Sequence, residues 1–260
     1  MRADVYLTEN GYAPSRQRAK KLIEDGCATV DGKRLQKPSE DISADVPHTV
    51  EITDTQKYVG RGGEKLEGAI AAFGIDPKGL SALDIGASTG GFTDCLLQLG
   101  ARHVTAVDAG AGQLAKKLQI DPRVTSIEHF NARNILPEDI GGCVDLIVMD
   151  VSFISATYII PRFYDLLCPN GEAVCLVKPQ FEVGRSMLGK GGIVKDPAAH
   201  RFAIERVMTC AVETGLTVAG LIASPIKGGD GNREFLVYLK KCDGASNTVD
   251  CNTVRSVTGG

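Results

Sequence analysis

The stretch Asp84-Ile85-Gly86-Ala87-Ser88-Thr89-Gly90-Gly91 follows a short apolar run and precedes a segment, 91–99, with the periodicity of a helix. A strand, a glycine-rich turn and a helix in this order bring the backbone close to a ligand, because glycine has no Cβ and permits positive φ. Alone, the pattern also fits a dinucleotide site or an ordinary tight turn. It therefore predicts a nucleotide-like ligand at the first crossover of a parallel sheet.

Strand-like and helix-like segments alternate from Glu64 onward, which is typical of α/β proteins built on a parallel sheet. Helices are predicted over 91–99, over 156–167, and from the cap and first-turn pair Asp196-Pro197 to about Thr214. The predicted strands cover residues 82–85, 103–107, 124–128, 146–149, 173–177, 217–222 and 235–239.

Asp108, at the end of the next predicted strand, narrows the choice of ligand. Its spacing from the glycine turn suits a carboxylate that accepts hydrogen bonds from ribose hydroxyls, although it could also simply cap a helix. The spacing G-x-S-x-G-G departs from the G-x-G-x-x-G of dinucleotide sites, and the chain has no Walker lysine motif. Residues 84–94 resemble motif I of the class I S-adenosylmethionine methyltransferases.

That resemblance implies a Rossmann-like seven-stranded sheet with its last strand antiparallel, and S-adenosylmethionine as the cofactor. It implies that Gly86, Ser88 and Gly90 line the methionine moiety and that Asp108 holds the ribose. By the same resemblance, Asn131-Ala132 lies near the adenine. The cofactor-binding residues predicted on this basis are Asp84, Gly86, Ser88, Gly90, Gly91, Asp108, Asn131, Ala132 and Asp150.

Lys65, Asp150, Lys178 and Glu234 lie at strand ends or element starts, where a parallel-sheet enzyme places its chemistry. Singly, Lys65 could be a solvated helix lysine, Asp150 a helix cap and Glu234 a surface acid. Lys178 ends an apolar run, where an unpaired charge is costly. Together they resemble the Lys-Asp-Lys-Glu tetrad of FtsJ-like ribose 2′-O-methyltransferases, which implies Lys178 as general base. Lys65 and Asp150 would orient the ribose hydroxyl, and Glu234 would complete the network.

Other methyl acceptors fit less well. An amino-methylating enzyme of DNA or RNA would commonly carry Asp/Asn-Pro-Pro-Tyr/Phe after the fourth strand, where this chain has Asp150-Val151-Ser152-Phe153. A cytosine C5 enzyme would need a Pro-Cys nucleophile there, whereas Cys168-Pro169 has the reverse order, so we expect Cys168 to be structural. A ribose hydroxyl needs a base, and a lysine serves when burial or a second cation favours the neutral amine.

Residues 14–37 carry seven basic and three acidic side chains, a net charge of +4 in a chain whose total is −3. A helix that starts at Pro14-Ser15 and ends at Gly26, followed by a hairpin at Asp31-Gly32, would present them. The result is either a stripe that reads phosphates or a solvated charged face. The predicted RNA-binding residues are Arg2, Arg16, Arg18, Lys20, Lys21, Lys33, Arg34 and Lys37.

Residues 1–57 resemble the RNA-binding domain named after ribosomal protein S-four, through Arg2-x-Asp4, Ser15-Arg16-x-x-Ala19-x-x-Leu22-Ile23 and Val30-x-Gly32. Such modules read RNA shape and backbone more than sequence. With the domain that follows, the chain resembles the TlyA family, also known as hemolysin A. The resemblance implies 2′-O-methylation of cytidines, with ribosomal RNA or ribosomal subunits as partners. The predicted organisation is a small α+β RNA-binding domain at 1–57, a linker at 58–63, the methyltransferase domain at 64–241 and a disordered tail at 242–260.

The bulk composition limits the class of protein. The chain has 260 residues, of which 43% are hydrophobic and 23% charged, as is ordinary for a globular protein. No apolar run reaches the roughly 18 residues of a membrane helix. The N-terminus lacks the apolar core of a signal peptide, so we expect a cytoplasmic protein that does not engage membranes. The eight cysteines form no C-x-x-C pair, which favours buried free thiols and disfavours a metal site.

Two alternatives come from other functional classes. One is a membrane-active cytolysin, as the older family name suggests, although the chain has no long apolar amphipathic helix. The other is a non-catalytic RNA-binding factor of ribosome assembly that keeps the fold. The complete tetrad argues against it, and a failure to bind S-adenosylmethionine would argue for it.

Overall fold

The computed structural model describes residues 1–13, 15–53 and 57–259. Pro14, residues 54–56 and Gly260 lie outside the described residues. The predicted start of the second helix at Pro14 and the residues just before the predicted domain boundary at 57 therefore lie outside the described residues. The chain forms two compact units, Met1–Gln56 and Lys57–Gly260, called unit 1 and unit 2 below.

The described part of unit 1 folds as two helices and a three-stranded antiparallel sheet. Its elements are α1 (Ala3–Glu9), α2 (Arg16–Glu24), β1 (Ala28–Val30), β2 (Lys33–Arg34) and β3 (Val50–Ile52), with β1 in the centre of the sheet. The Ser15 side chain accepts a hydrogen bond from the N–H of Arg18 and so begins α2. Asp31 and Gly32 take φ values of 52° and 73°, which confirms the tight hairpin predicted from this pair.

The described part of unit 2 is built on a seven-stranded sheet. Its strands are β4 (Ser81–Ile85), β5 (His103–Val107), β6 (Val124–Ile127), β7 (Val144–Met149), β8 (Leu167–Val177), β9 (Thr217–Ala223) and β10 (Phe235–Lys240). The order across the sheet is β6-β5-β4-β7-β8-β10-β9, and β10 runs opposite to the other six strands. The predicted Rossmann-like sheet with an antiparallel last strand is confirmed.

Helices cover both faces of this sheet. They are α3 (Gly62–Phe73), α4 (Gly91–Gln98), α5 (Lys116–Gln119), α6 (Phe163–Leu166), α7 (Pro179–Glu182), α8 (Pro197–Glu213) and α9 (Cys251–Thr258). The apolar sides of α3 and α4 pack on one face, and those of α8 and α9 pack on the other. The helix predicted over 156–167 is instead two 3₁₀ turns followed by α6. Pro161 lies in the second turn, and a proline removes one hydrogen-bond donor and crowds the preceding helical turn.

The predicted disordered tail at 242–260 is wrong over the last helix. The Asp250 side chain accepts a hydrogen bond from the N–H of Thr253 at 2.7 Å and begins α9. Val254 and Thr258 are buried one turn apart against the core beside α8. Two inward positions are enough for an eight-residue helix to dock, and the polar composition of the segment concealed them.

The expectation that all eight cysteines are free thiols is also wrong. Cys143 and Cys168 are joined in a disulfide, with their Cα atoms 5.1 Å apart. Cys143 directly precedes β7 and Cys168 is the second residue of the neighbouring strand β8, and Val144 pairs with Leu167 in the β7–β8 ladder. The strand pairing thus brings together two residues that are 25 positions apart in sequence.

Candidate active site

One edge of the sheet gathers the charged residues singled out in the sequence. The carboxyl ends of β4, β7 and β8 meet there because these strands are parallel. β10 runs the other way, so its first residue pairs with the last residue of β8. Asp150, Lys178 and Glu234 each lie one residue outside these strand ends, and Lys65 lies in the first turn of α3.

The side chains of these four residues form one connected network. Lys178 Nζ lies 2.6 Å from Asp150 Oδ1. Lys65 Nζ donates to Glu234 Oε2 at 2.6 Å and lies 3.9 Å from Asp150 Oδ2. Lys65 and Glu234 are only 7% and 3% exposed, where an unpaired charge would be costly. Pairing two cations with two carboxylates is what allows these charges to be held beneath the cleft.

Ser152 and Phe153, which had no role in the sequence-based prediction, also belong to this site. Ser152 Oγ accepts a hydrogen bond from Lys178 Nζ at 2.7 Å. Phe153 is 92% exposed, and its ring centroid lies 5.3 Å from that of Phe181. Its φ of +65° is uncommon for a bulky residue and holds an aromatic ring in the open cleft. The only sequence signal for it is an aromatic residue shortly after a strand-end acid.

The glycine-rich turn, residues 86–91, packs closely against the residues that follow β7. Gly86 has a φ of +85°, and a Cβ placed on it would lie 2.5 Å from the carbonyl oxygen of Asp150. The N–H of Ser88 donates to Asp108 Oδ2 at 2.7 Å. Asp108 therefore holds the turn through its carboxylate while it faces the cleft, rather than only capping a helix.

A cleft follows this edge in two parts that share Gly86, Ser88, Asp150 and Ser152. The first part has a volume of about 400 Å³, and the second, which reaches Lys178, has a volume of about 210 Å³. The first part is lined by Val107, Phe130, Ile154 and Ile159, together with Asp108, Asn131 and Ala132. An apolar slot beside a carboxylate suits a base and its ribose. The glycine turn leaves space for the methionine part of the cofactor. The residues present therefore fit S-adenosylmethionine.

Asp84 and Gly90 are also predicted to bind cofactor, but their contacts are with the residues that pack beneath the glycine turn. Asp84 is fully buried, and its Oδ2 accepts hydrogen bonds from the N–H and the hydroxyl of Thr93 at 3.0 and 2.7 Å. Burial raises the pKa of Asp84 to about 7, against the effect of these hydrogen bonds. A Cβ on Gly90 would lie 2.2 Å from a methyl carbon of Leu118. The other predicted cofactor-binding residues line the cleft.

The predicted RNA-binding residues belong to unit 1. Arg2 and Arg16 both donate to the buried carboxylate of Asp4, at 2.9 and 2.8 Å, and are 45% and 54% exposed. The hydrogen bond from Arg2, with help from Arg16, lowers the pKa of Asp4 to about 2. These two arginines therefore also stabilise the unit. Of the remaining predicted residues, Arg18 is half-buried. The others are exposed: Lys20, Lys21, Lys33, Arg34 and Lys37.

Comparisons with known proteins show which families the two parts of the chain match. The chain matches the FtsJ-like methyltransferase model over residues 58–241 and the S4 domain model over residues 1–45. It is 45% identical over 240 residues to a Mycobacterium tuberculosis protein named 16S/23S rRNA (cytidine-2′-O)-methyltransferase TlyA, covering 92% of this chain and 89% of that protein. Hemolysin A of Brachyspira hyodysenteriae is 42% identical over 240 residues, which cover 92% of this chain and 99% of that protein.

A solved structure from Streptococcus thermophilus, described as a candidate hemolysin, superposes with a TM-score of 0.80 at 41% identity. The match covers 100% of this chain and 94% of that one. Among the described residues, none of the helices is long and apolar enough to cross a membrane.

Proposed function

The chain belongs to the FtsJ-like methyltransferase family, and we propose that it transfers a methyl group from S-adenosylmethionine to a ribose 2′-hydroxyl of ribosomal RNA. The observation that carries the proposal is the connected network of Lys65, Asp150, Lys178 and Glu234 beside the glycine turn. The names of the relatives favour cytidine as the target nucleotide. A ribosomal RNA substrate would place the protein in the cytoplasm.

S-adenosylmethionine, when bound, supplies a methyl group on a positively charged sulfur. Asp108, Asn131 and Ala132 would hold its nucleoside in the first part of the cleft, and the glycine turn would border the rest. Residues of the turn present backbone groups and no charged side chain to the cofactor, so they can position it without supplying a competing nucleophile for its methyl group. Asp150 and Ser152 line both parts of the cleft and mark the boundary between cofactor and acceptor.

Lys178 is the group we propose as general base. Its Nζ reaches the cleft while Asp150 and Ser152 hold it from two sides. After the ammonium releases one proton to solvent through the cleft, the neutral amine would accept the proton that the 2′-hydroxyl loses when the hydroxyl oxygen attacks the methyl group. Lys65, held by Glu234, lies deeper and keeps Asp150 oriented. Alignment of the hydroxyl by this preformed set supplies much of the remaining rate.

Phe153 is suited to hold the base of the acceptor nucleotide. Its ring is exposed in the cleft, and an aromatic face stacks on an unpaired base of any sequence. Base–aromatic stacking contributes about 1–3 kcal/mol per base. Unit 1 would supply the separate, salt-sensitive attraction to RNA backbone through its exposed lysines and arginines.

Methyl transfer to separated ribosomal subunits from tritiated S-adenosylmethionine, followed by mapping of the modified ribose, tests the proposal. We expect Lys178→Ala to reduce the rate by at least about 100-fold, while calorimetry shows near-normal cofactor binding. Lys78→Ala, at an exposed loop lysine, is the matched control and should behave as wild type. Incorporation that persists in Lys178→Ala would refute the assignment of the base. Wild-type protein that binds no cofactor would instead support a non-catalytic RNA-binding role.

A further inference from the structure

A buried carboxylate outside the tetrad connects the two segments that carry the acceptor side of the site. Glu182 is 2% exposed. Its Oε1 accepts a hydrogen bond from the N–H of Ala156 at 2.7 Å, and its Oε2 accepts one from Ser155 Oγ at 2.5 Å. Both carboxylate oxygens are therefore satisfied by the segment that follows β7, which compensates part of the cost of burial.

The residues that this contact joins lie close in sequence to Asp150 and Lys178. Ser155 and Ala156 end the loop that starts at Asp150 and includes Ser152 and Phe153. Glu182 ends α7, the short helix that begins directly after Lys178. The carboxylate thus ties the loop after β7 to the helix after β8, four residues from the proposed base.

This tie is itself anchored to a long helix. The backbone carbonyl of Glu182 accepts a hydrogen bond from Arg206 Nη1 on α8 at 2.6 Å. Phe153, by contrast, is almost entirely exposed, and the ring of Phe181 is the aromatic group beside it. The acceptor loop is therefore held at its start by the contacts of Asp150 and Ser152 with Lys178, and at its far end by the hydrogen bonds that Glu182 accepts.

We propose that Glu182 is a positioning residue that sets the distance between the amine of Lys178 and the loop carrying Asp150, Ser152 and Phe153. It does not line the cleft described above, and it acts through the groups that do. The inference rests on the proposed function only in taking this cleft as the place where the acceptor binds. A displacement of about 1 Å at such a site can cost on the order of 100-fold in rate.

Kinetics with the full chain provide the first test. Glu182→Ala should lower kcat for methyl transfer to ribosomal RNA by about tenfold or more, with the affinity for S-adenosylmethionine within about twofold of wild type. Glu182→Gln keeps one acceptor oxygen and the shape of the side chain, and should restore most of kcat. Ser155→Ala removes one of the two contacts and should show an intermediate loss. Combining it with Glu182→Ala should add nothing further, because both remove the same tie. Glu205→Ala, at an exposed glutamate of α8, is the matched control.

A second readout needs neither RNA nor catalysis. The chain contains no tryptophan, so Phe153→Trp introduces a single tryptophan on the acceptor loop, which can be excited selectively at wavelengths too long for tyrosine to absorb. In that background Glu182→Ala should increase the local motion seen by time-resolved anisotropy, and Glu182→Gln should not. If Glu182→Ala does not fold, Ser155→Ala in the same background decides the question.

The two readouts separate the inference from the proposed function. Unchanged kcat per folded molecule, or unchanged anisotropy, in Glu182→Ala and Ser155→Ala would overturn the positioning role. Failure of the wild-type protein to methylate ribosomal RNA, together with the expected anisotropy change, would count against the proposed substrate and leave the tie established.

Discussion

Gly86→Ala is the perturbation whose effect follows most directly from the geometry. Gly86 has a φ of +85°, so alanine would be strained there even in open space. A Cβ at this position would also lie 2.5 Å from the carbonyl oxygen of Asp150 and 3.1 Å from Val151 Cγ1. The oxygen belongs to the backbone and cannot rotate away. Either the glycine turn or the residue that pairs with Lys178 must therefore move.

Two contributions set the magnitude. The left-handed conformation costs an alanine about 1–2 kcal/mol, and relief of the overpacking costs about a further 1–3 kcal/mol. Gly74 provides a matched control, because its φ is +68° but no atom lies within 4 Å of the Cβ it would gain. Gly74→Ala should thus show only the first contribution. The two variants should differ by about 1–3 kcal/mol in the free energy of unfolding.

Urea unfolding measures that difference, and calorimetry with S-adenosylmethionine measures its consequence at the site. We expect Gly86→Ala to bind the cofactor at least about tenfold more weakly, while Gly74→Ala binds it normally. Equal unfolding free energies for the two variants, with equal affinity for the cofactor, would show that the close approach of Gly86 to Asp150 does not constrain the turn.

Three further predictions concern other parts of the molecule. The fold raises the pKa of Asp84 to about 7 from an ordinary 3.8, so its contribution to stability is complete below pH 3.8 and is lost as the pH rises through 7. The unfolding free energy of Asp84→Asn, measured in urea, should therefore rise relative to that of wild type between about pH 4 and pH 8, by up to roughly 4 kcal/mol. A difference between the two proteins that stays constant with pH would contradict this. Replacing Lys33 and Arg34 by alanine should reduce the slope of log RNA affinity against log salt by about 1–2 in filter binding, whereas Lys78→Ala should not. Arg233→Ala removes hydrogen bonds of 3.0 and 2.8 Å to the last carbonyls of α9 and should lower the unfolding free energy by about 1.5 kcal/mol, unless the helix docks without them.

Local chemistry made much of the fold predictable. The Asp31-Gly32 turn and the start of α8 at Pro197 depend on the backbone preferences of a few adjacent residues, and both formed as expected. Most strands of the seven-stranded sheet could be predicted because they are apolar runs bounded by polar residues. The helix at α9 was missed because its stability comes from docking two side chains on a core that lies elsewhere in the chain.

The sequence by itself determined the class of sheet and singled out the glycine turn with Asp108, because both depend on neighbouring residues or on a spacing along one strand and turn. It marked the four charged residues as candidates through their places at strand ends and element starts and through their joint resemblance to a known tetrad. Only the tertiary structure decided that Lys65 and Glu234, 169 residues apart, share a hydrogen bond. The reason is the reversed direction of β10, which brings the start of the last strand to the edge where the parallel strands end. The same packing turned Asp84 inward to Thr93 and placed Phe153 in the cleft, because those outcomes depend on neighbours that sequence order does not reveal.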